Sequence, residues 1–363
     1  TIKKSLNRTI SLITGKAGCV DCDTEFFNGT EWKKISDYTY GDKVLQYNKD
    51  GTAELVEPLE YIRQPKEYLW HFETMYGLDQ CLSEDHNCIL LSQKNNLREE
   101  SFESVMKRQN ELRFYDKFIT AFNYGGSGID MSDEMLRLMV AASADGSYDY
   151  NADETWETYN RARFRLKKAS KIARLINLIK NAKLDYEIKT FENDDQVNIY
   201  VYLPYRIKEL PKEWYNCSKH QLQIIAEEVM YWDFDLKNKD RYFTTLKSNA
   251  DFIQFVFTSL GKRANILESD RRGRIYTVND KDYETKSIEY TVSITDRVNI
   301  GLCCDKRKNY TPTQFEKYKT KDGFQYCFIT PSHMLVLRRN NKIFVTGNCG
   351  KTSIMRAIIK AYC

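Results

Sequence analysis

Apolar and polar positions alternate along this chain with two periods, and the periods occupy different regions. From Cys19 to about residue 110 the apolar stretches are short and turn signals separate them. Asn28-Gly29, Tyr40-Gly41-Asp42 and Asp50-Gly51 punctuate what reads as a succession of β-strands. Between roughly residues 110 and 300 helical spacing takes over. In SDEMLRLMVAASADG, Leu136, Met139, Val140 and Ser143 share one helical face, and Ser132 stands where an N-cap belongs, with acids in the first turn. Ala141, Ala142 and Ala144 are small enough for a second helix to approach closely, and the helix is predicted to end at Asp145-Gly146. In SKHQLQIIAEEVMYWDFD a second stripe runs through Leu222, Ile225, Ala226, Val229 and Met230, with an end predicted near Asp233.

Each predicted helix thus carries an aspartate where the helix dipole is negative, the unfavourable end for an acid. Once, this is an ordinary surface accident. Here it occurs twice, and a similar succession follows each time. After Asp145 come the strand RARFRLKK, the apolar helix SKIARLINLIKNA, and strands near DYEIKTF and QVNIYVYLP. After Asp233 come the strand RYFTTL, the helix NADFIQFVFTSLG, and strands near ANILES and RIYTV. This is an approximate internal duplication. In RARFRLKK, Arg161, Arg163, Arg165 and Lys167 alternate with Ala162, Phe164 and Leu166, which puts four cations on one strand face over an apolar one. Such a face can track phosphates, although a solvated basic face is the common alternative. RRGR at 271–274 is a candidate second contact.

Bulk composition changes this picture little. With 55 Lys and Arg against 51 Asp and Glu, the formal charge of +4 is too small to argue for nucleic acid by itself. The 25 Tyr and 18 Phe among 363 residues are enough for the cores of two or three domains. No apolar run reaches the length of a membrane span and no secretory signal is visible, so the expectation is a cytoplasmic, intracellular protein without a membrane partner. The first residue is Thr1, as expected of an excerpt from a longer chain. Ten cysteines are read as reduced thiols. Cys19-x-x-Cys22 could be half a zinc site or a redox pair, but Cys303-Cys304 is adjacent rather than spaced, so a four-ligand site is poorly supported. Cys81, Cys88 and Cys217 read as small buried hydrophobes, and His71 and His220 as ordinary core or surface residues.

The two ends of the chain carry the sharpest signal. GKTS at 350–353 is the second half of a phosphate-binding P-loop, but the glycine required five residues before Gly350 is missing, because Val345 stands there. The missing half lies at the other end, where the apolar run TISLIT leads into Gly15, Lys16, Ala17 and Gly18. Joining Gly18 directly to Cys349 gives GKAGCGKT, with Gly15, Gly350, Lys351 and Thr352 in place and an amphipathic helix following. The interrupting block, from Cys19 to Asn348, is 330 residues long.

On these residues the chain resembles an intein, a protein-splicing element, inserted in the P-loop of a helicase-type NTPase. The opening CVDCDTEFF is similar to the first motif of that family. Ser83-x-x-His86 in CLSEDHNCIL resembles its Thr-x-x-His motif, and YCFITPSHMLVLRRNNKIFVTGNC resembles the closing motifs. The resemblance implies a series of roles. Cys19 attacks the Gly18 carbonyl and converts the amide to a thioester. Ser83 holds the scissile peptide and His86 protonates the leaving nitrogen. Cys349 then takes over the N-terminal flank, and Asn348 cyclises with help from His333. Cys327 would position a water or tune neighbouring groups. No cofactor is implied for splicing. The family usually has histidine before the terminal asparagine, where this chain has Gly347.

The middle region resembles the LAGLIDADG homing endonucleases with both copies in one chain, Leu138–Gly146 as the first motif and Ala226–Phe234 as the second. That implies two motif helices side by side, with Asp145 and Asp233 binding Mg2+ and activating water for cleavage of double-stranded DNA at the intein-less host site. Ser143 stands where the first motif has its earlier Asp, and Phe234 replaces the second glycine.

The implied fold is a mostly β splicing domain of the Hint type, a horseshoe, with an inserted α/β (αββαββ, duplicated) endonuclease lobe projecting from it. The implied boundaries are 1–18 and 349–363 for the flanks, 19–110 and 301–348 for the splicing domain, and 111–300 for the endonuclease. The chain is expected to be a monomer acting on its own flanks and on DNA, in a bacterial or phage-type host. Loss of splicing with DNA cleavage retained, a splicing element with a degenerate nuclease, and a P-loop ATPase with a structural insertion are the competing readings. Intact Cys19, Asn348 and Cys349 weigh against the first of these, and the divided loop weighs against the last.

Overall fold

A computed structural model describes residues 18–74, 77–109, 116–148, 160–190, 195–235, 240–278, 281–302 and 313–348. It is mostly β with five helices among those residues: α1 Phe102–Gln109, α2 Asp133–Asp145, α3 Ala169–Asn181, α4 Lys219–Val229 and α5 Lys247–Ser259. None of the described helices is long and apolar enough to cross a membrane. Both flanking segments up to residue 17 and from 349 onward, with Gly15, Cys349, Gly350, Lys351 and Thr352, lie outside the described residues, as do Cys303 and Cys304.

The β-rich part is built from both ends of the block. Val20 bridges to Tyr326 on one side and Leu82 on the other, so the opening residues are threaded between the strands Phe324–Ile329 and Leu78–Leu82. The closing residues form a hairpin, Met334–Arg339 paired with Lys342–Gly347, in which Met334 stands opposite Gly347. Asn340 and Asn341 make its turn, both with positive φ (46° and 61°), the backbone that a tight two-residue hairpin demands and that asparagine tolerates well. That register sets His333 and Asn348 side by side at the open end. Phe26, Phe72, Phe102, Phe118, Phe328 and Phe344 fill the core beneath.

The two halves of the duplicated region share a three-stranded antiparallel core, to which the first half adds the strand Gly146–Tyr148. In the first copy the strand order is Gly146–Tyr148, Arg161–Leu166, Val197–Tyr202, Tyr186–Thr190. In the second, Arg241–Thr244 pairs with Glu289–Thr295, which pairs with Arg263–Ser269. One assignment needs correcting. The segment RIYTV was read as the final strand of the repeat, but Ile275–Val278 pairs instead with Lys281–Glu284 in an added hairpin. Its outward residues Ile275, Tyr276 and Tyr283 are exposed, so it has no core face to bury. In both copies alternating residues lie inward. Ala162, Phe164 and Leu166 are buried, and Arg165, between them, faces solvent.

Ser132 caps α2 by accepting from the Met135 N–H, and Ser218 caps α4 in a reciprocal arrangement with Gln221. The helices α2 and α4 pack against each other, Ala141 and Ala142 of α2 are fully buried, and Arg137 of α2 reaches Glu227 and Glu228 of α4.

The duplicated region does not simply project from the β-rich part. A nine-stranded sheet runs through both, with Arg263–Ser269 meeting Lys342–Gly347 at Asn265 and Lys342. From α5, the Gln254 amide donates to the carbonyls of Ala264 and Asn341 (2.9 and 2.7 Å), and Asp251 pairs with the buried Arg338, which also holds Glu25. The hairpin turn is therefore braced from the neighbouring lobe. Arg338→Ala leaves both acids without their shared cation and is expected to cost about 3 kcal/mol or more. Urea unfolding followed by tryptophan fluorescence measures this, and a cost near zero would show the brace to be idle.

Candidate functional site

The turn Ser83–Asn87 joins the strands Leu78–Leu82 and Asn87–Leu91, and its Ser83 and His86 are buried where the two ends of the block meet. A tight bond from the His86 N–H to the Ser83 carbonyl closes it, at 3.1 Å. Cys19 lies along it. Its N–H donates to the Ser83 Oγ at 2.9 Å, and its carbonyl accepts from the Ser83 N–H at 3.0 Å. The peptide between Gly18 and Cys19 is thus gripped at its nitrogen. Gly18 fits so closely that a β-carbon there would come within 2.5 Å of the His86 Cα. The Cys19 side chain is fully buried in a small cluster with Ile62, Cys327 and Ile329, and Cys327 Sγ lies 3.3 Å from the Phe328 carbonyl.

Asn348 reaches the same turn from the other side. The His86 Nε2 is 2.5 Å from the Thr346 Oγ1, and Asn87 Nδ2 donates to the Asn348 carbonyl at 3.3 Å. The Asn348 N–H donates to the His333 carbonyl (3.0 Å), its Oδ1 faces His333 Nδ1 (3.2 Å), and its Nδ2 faces the Thr330 Oγ1 (3.5 Å). His333 closes the turn from Thr330 with φ of +61°, a conformation that costs a non-glycine residue energy and that surrounding structure must enforce. Of the residues singled out in the sequence, Cys19, Ser83, His86, Cys327, His333 and Asn348 converge here. Asn87, Thr330 and Thr346 were missed. No sequence pattern marked the threonines.

Asp21 anchors the first strand. Its carboxylate takes the guanidinium of Arg339, which also holds Asp79, itself bonded to His71. Burial pushes the Asp79 carboxyl up, but the His71 and Arg339 bonds outweigh it and leave the group at about 2. His71 is thus a structural residue, and His220 makes a surface pair with Asp133. Burial raises the thiols of Cys81 and Cys88 well above the ordinary cysteine range, and that of Cys22 to about 11, so these side chains stay neutral.

A second constellation lies at the ends of α2 and α4. Asp145 is the last residue of α2. The expected parallel fails in detail for Asp233, because α4 ends at Val229 and the chain continues through tight turns, with Tyr231 and Trp232 N–H donating to the carbonyls of Glu228 and Val229. Burial of Trp232, whose indole N–H reaches Glu228, draws the chain inward. The two acids nevertheless feel one another. Burial first, and then the Asp145 charge, raises the Asp233 carboxyl to about 6. Two lysines, unmarked in the sequence, attend the pair. Lys171 Nζ sits 2.5 Å from Asp145 Oδ2. Lys208 Nζ bonds the Ser143 and Ala144 carbonyls at the α2 terminus, its amine lowered by burial against the pull of Asp233 and Asp145. Ser143 itself turns back to the Val140 carbonyl, and Phe234 packs inward against Tyr242 and Phe257. On the basic strand the Arg161 guanidinium lies 4.2 Å over the Tyr200 ring.

No family model matches the chain. The ribonucleoside-diphosphate reductase subunit beta of Aquifex aeolicus (strain VF5) is 24% identical over 244 residues, 61% of this chain and 31% of that protein, so the chain spans about a third of that relative's length. Among solved structures, a GSH-linked splice-inactive variant of the AceL NrdHF class 3 split intein is 9% identical with a TM-score of 0.34, covering 91% of this chain and 97% of that one. A mesophilic variant of the homing endonuclease I-DmoI is 16% identical with a TM-score of 0.32, covering 46% and 89%. I-DmoI in complex with DNA and Mn is 16% identical with a TM-score of 0.31, covering 46% and 90%.

The raised Asp233 has a thermodynamic signature. A carboxyl that ionises near 3.8 when unfolded and near 6 when folded makes the unfolded chain the weaker proton binder across that window. Stability falls as pH rises through it and stays lowered above. Asp233→Asn should therefore raise the thermal midpoint at pH 7.5 in EDTA and leave it nearly unchanged at pH 4. Equal gains at both values would show that charge is not the cause.

Proposed function

We propose that the chain splices itself, excising Cys19–Asn348 and joining Gly18 to Cys349. The observation that carries this reading is that the peptide entering Cys19 and the carbonyl leaving Asn348 are bonded to one five-residue turn, although they stand at opposite ends of the block. An amide is inert because its nitrogen leaves poorly. Here the Cys19 N–H is held by Ser83, so the Gly18 carbonyl is fixed for attack by the neighbouring thiol. With His86 Nε2 engaged by the Thr346 hydroxyl, Nδ1 of the protonated ring is the donor to the departing nitrogen, and the proton lost by the Cys19 thiol replaces the one delivered. Cys349 then receives the acyl group, Asn348 cyclises, and an S-to-N shift restores a peptide bond. At Asn348, His333 Nδ1 donates to Oδ1 and orients the side-chain amide. These steps use only side chains of the block and the first residue after it.

The restored sequence GKAGCGKT makes the host an NTPase of helicase type whose phosphate loop exists only after splicing. The duplicated lobe is the homing endonuclease of the element, and its DNA-facing surface includes the cations of Arg161–Leu166. Two neighbouring carboxylates, one of them raised first by burial and then by the charge of the other, are hard oxygen ligands that suit a Mg2+ ion, with Asp145 and Asp233 holding it. The ion would polarise a phosphodiester and lower the pKa of a bound water. Lys171 and Lys208 supply positive charge beside the scissile phosphate. A splicing element with a decayed nuclease is the second reading, favoured by Ser143 facing its own helix and by the buried Phe234.

The purified chain is expected to yield a 330-residue fragment and a 33-residue joined peptide from its 18- and 15-residue flanks, by intact mass. Cys19→Ala with Asn348→Ala should leave one uncut chain, and His86→Ala should slow thioester formation about a hundredfold. Unchanged products in the double variant would refute splicing. Separately, Asp145→Asn should abolish Mg2+-dependent nicking of the uninterrupted host gene and spare splicing. Nicking that persists in Asp145→Asn would remove the acid from that role, and absence of nicking in the parent chain would favour the decayed nuclease.

A further inference from the structure

The reacting carbonyl of Asn348 has a donor that the sequence did not announce. Asn87 Nδ2 lies 3.3 Å from it, from the residue immediately after His86. The amide orientation follows from chemistry, since turning Oδ1 toward a carbonyl oxygen would set two acceptors against each other. Gly347 makes the approach feasible. A β-carbon at 347 would stand 2.7 Å from the Asn87 carbonyl oxygen and 2.9 Å from the Asn87 Cβ, too close to backbone for either residue to stay in place. The bare position at 347 and the amide at 87 are therefore one arrangement.

We propose that Asn87 is a catalytic residue of the cleavage after Asn348, supplying the hydrogen bond that stabilises negative charge on the carbonyl oxygen, with Gly347 as the opening that admits it. This deepens the splicing reading and rests on it. In the step, Asn348 Nδ2 forms a bond to its own carbonyl carbon and the bond to the Cys349 nitrogen breaks. One hydrogen of Nδ2 leaves as a proton and one proton joins the departing amine, so the products are an aminosuccinimide at 348 and a free amino group at 349. Between bond making and bond breaking the oxygen carries the charge, and a preplaced amide N–H is worth most at that moment. A contact that is long in the ground state and tightens as charge develops favours the transition state over the substrate. His333 and Thr330 hold the attacking amide, and Asn87 holds the oxygen, so nucleophile and electrophile are gripped by separate elements. The same turn then serves both junctions, through His86 at the first and Asn87 at the second.

The test separates the two junctions in the full chain. In a Cys19→Ala background, release of the 15-residue C-terminal fragment reports cyclisation alone. In an Asn348→Ala background, dithiothreitol-induced release of residues 1–18 reports thioester formation alone. Asn87→Asp, nearly isosteric, and Asn87→Ala should each slow C-terminal release on the order of a hundredfold, while the thioester rate stays that of the chain with Asn87. Gly347→Ala should reproduce the C-terminal defect. C-terminal release at full rate in Asn87→Asp would overturn the proposal, and so would equal slowing at both junctions, which marks a merely structural residue. If the chain with Cys19, Asn87 and Asn348 intact yields no joined peptide, the splicing reading itself fails and takes this proposal with it.

Discussion

Everything else in the β-rich part serves one constraint: two chain positions separated by the whole block must touch one short turn. The bonds that accomplish this are few and local. Ser83 takes the Cys19 amide, His86 meets Thr346, and Asn87 meets Asn348. None is strong singly, since a neutral hydrogen bond contributes about 1 kcal/mol net. Their precision comes from the strands on either side. Val20 is fixed by Tyr326 and Leu82, and Asn348 by the register that puts Met334 opposite Gly347. A slip of one residue in that hairpin would turn Asn348 to the other face and separate it from His333.

Strain is concentrated where the chemistry is placed. His333 adopts a left-handed backbone directly beside Asn348, and glycines at 18 and 347 lie where any β-carbon would strike the turn. Close approach of backbone to backbone, rather than left-handed φ, explains these two glycines. The acid pair of the other lobe stores cost differently, first as burial of the Asp233 carboxylate and then as its repulsion from Asp145, with lysines close enough to offset part of it.

Much of this was legible because it depends on residue type at fixed spacing. Ser83-x-x-His86 spans a single turn, so three intervening bonds set its geometry, and the alternation in RARFRL maps directly onto a strand with one buried face. The Ser132 cap and the end of α2 followed from local rules. Long-range partners were not legible. Thr346 and Asn87 lie 260 and 261 residues from the groups they bond, a distance across which sequence pattern carries no information. The end of α4 was misplaced because tertiary burial of Trp232 overrode helical periodicity. The last strand of the second repeat was misassigned because RIYTV has a strand's composition without a buried face, and only pairing distinguishes the hairpin from the sheet.

The shared sheet binds the fates of the two lobes. The hairpin that ends in Asn348 is about 20 Å long by strand geometry, and its far turn is held by Gln254 and Asp251 of α5. Shortening the chain by excising the duplicated region would strip those supports, expose the strand edge at Lys342, and leave Arg338 with Glu25 as its remaining acid. A compact derivative would have to acquire a new prop at that turn and an uncharged side chain at 338. Mutational decay of the duplicated lobe is thus limited by the mechanical service it renders to the other.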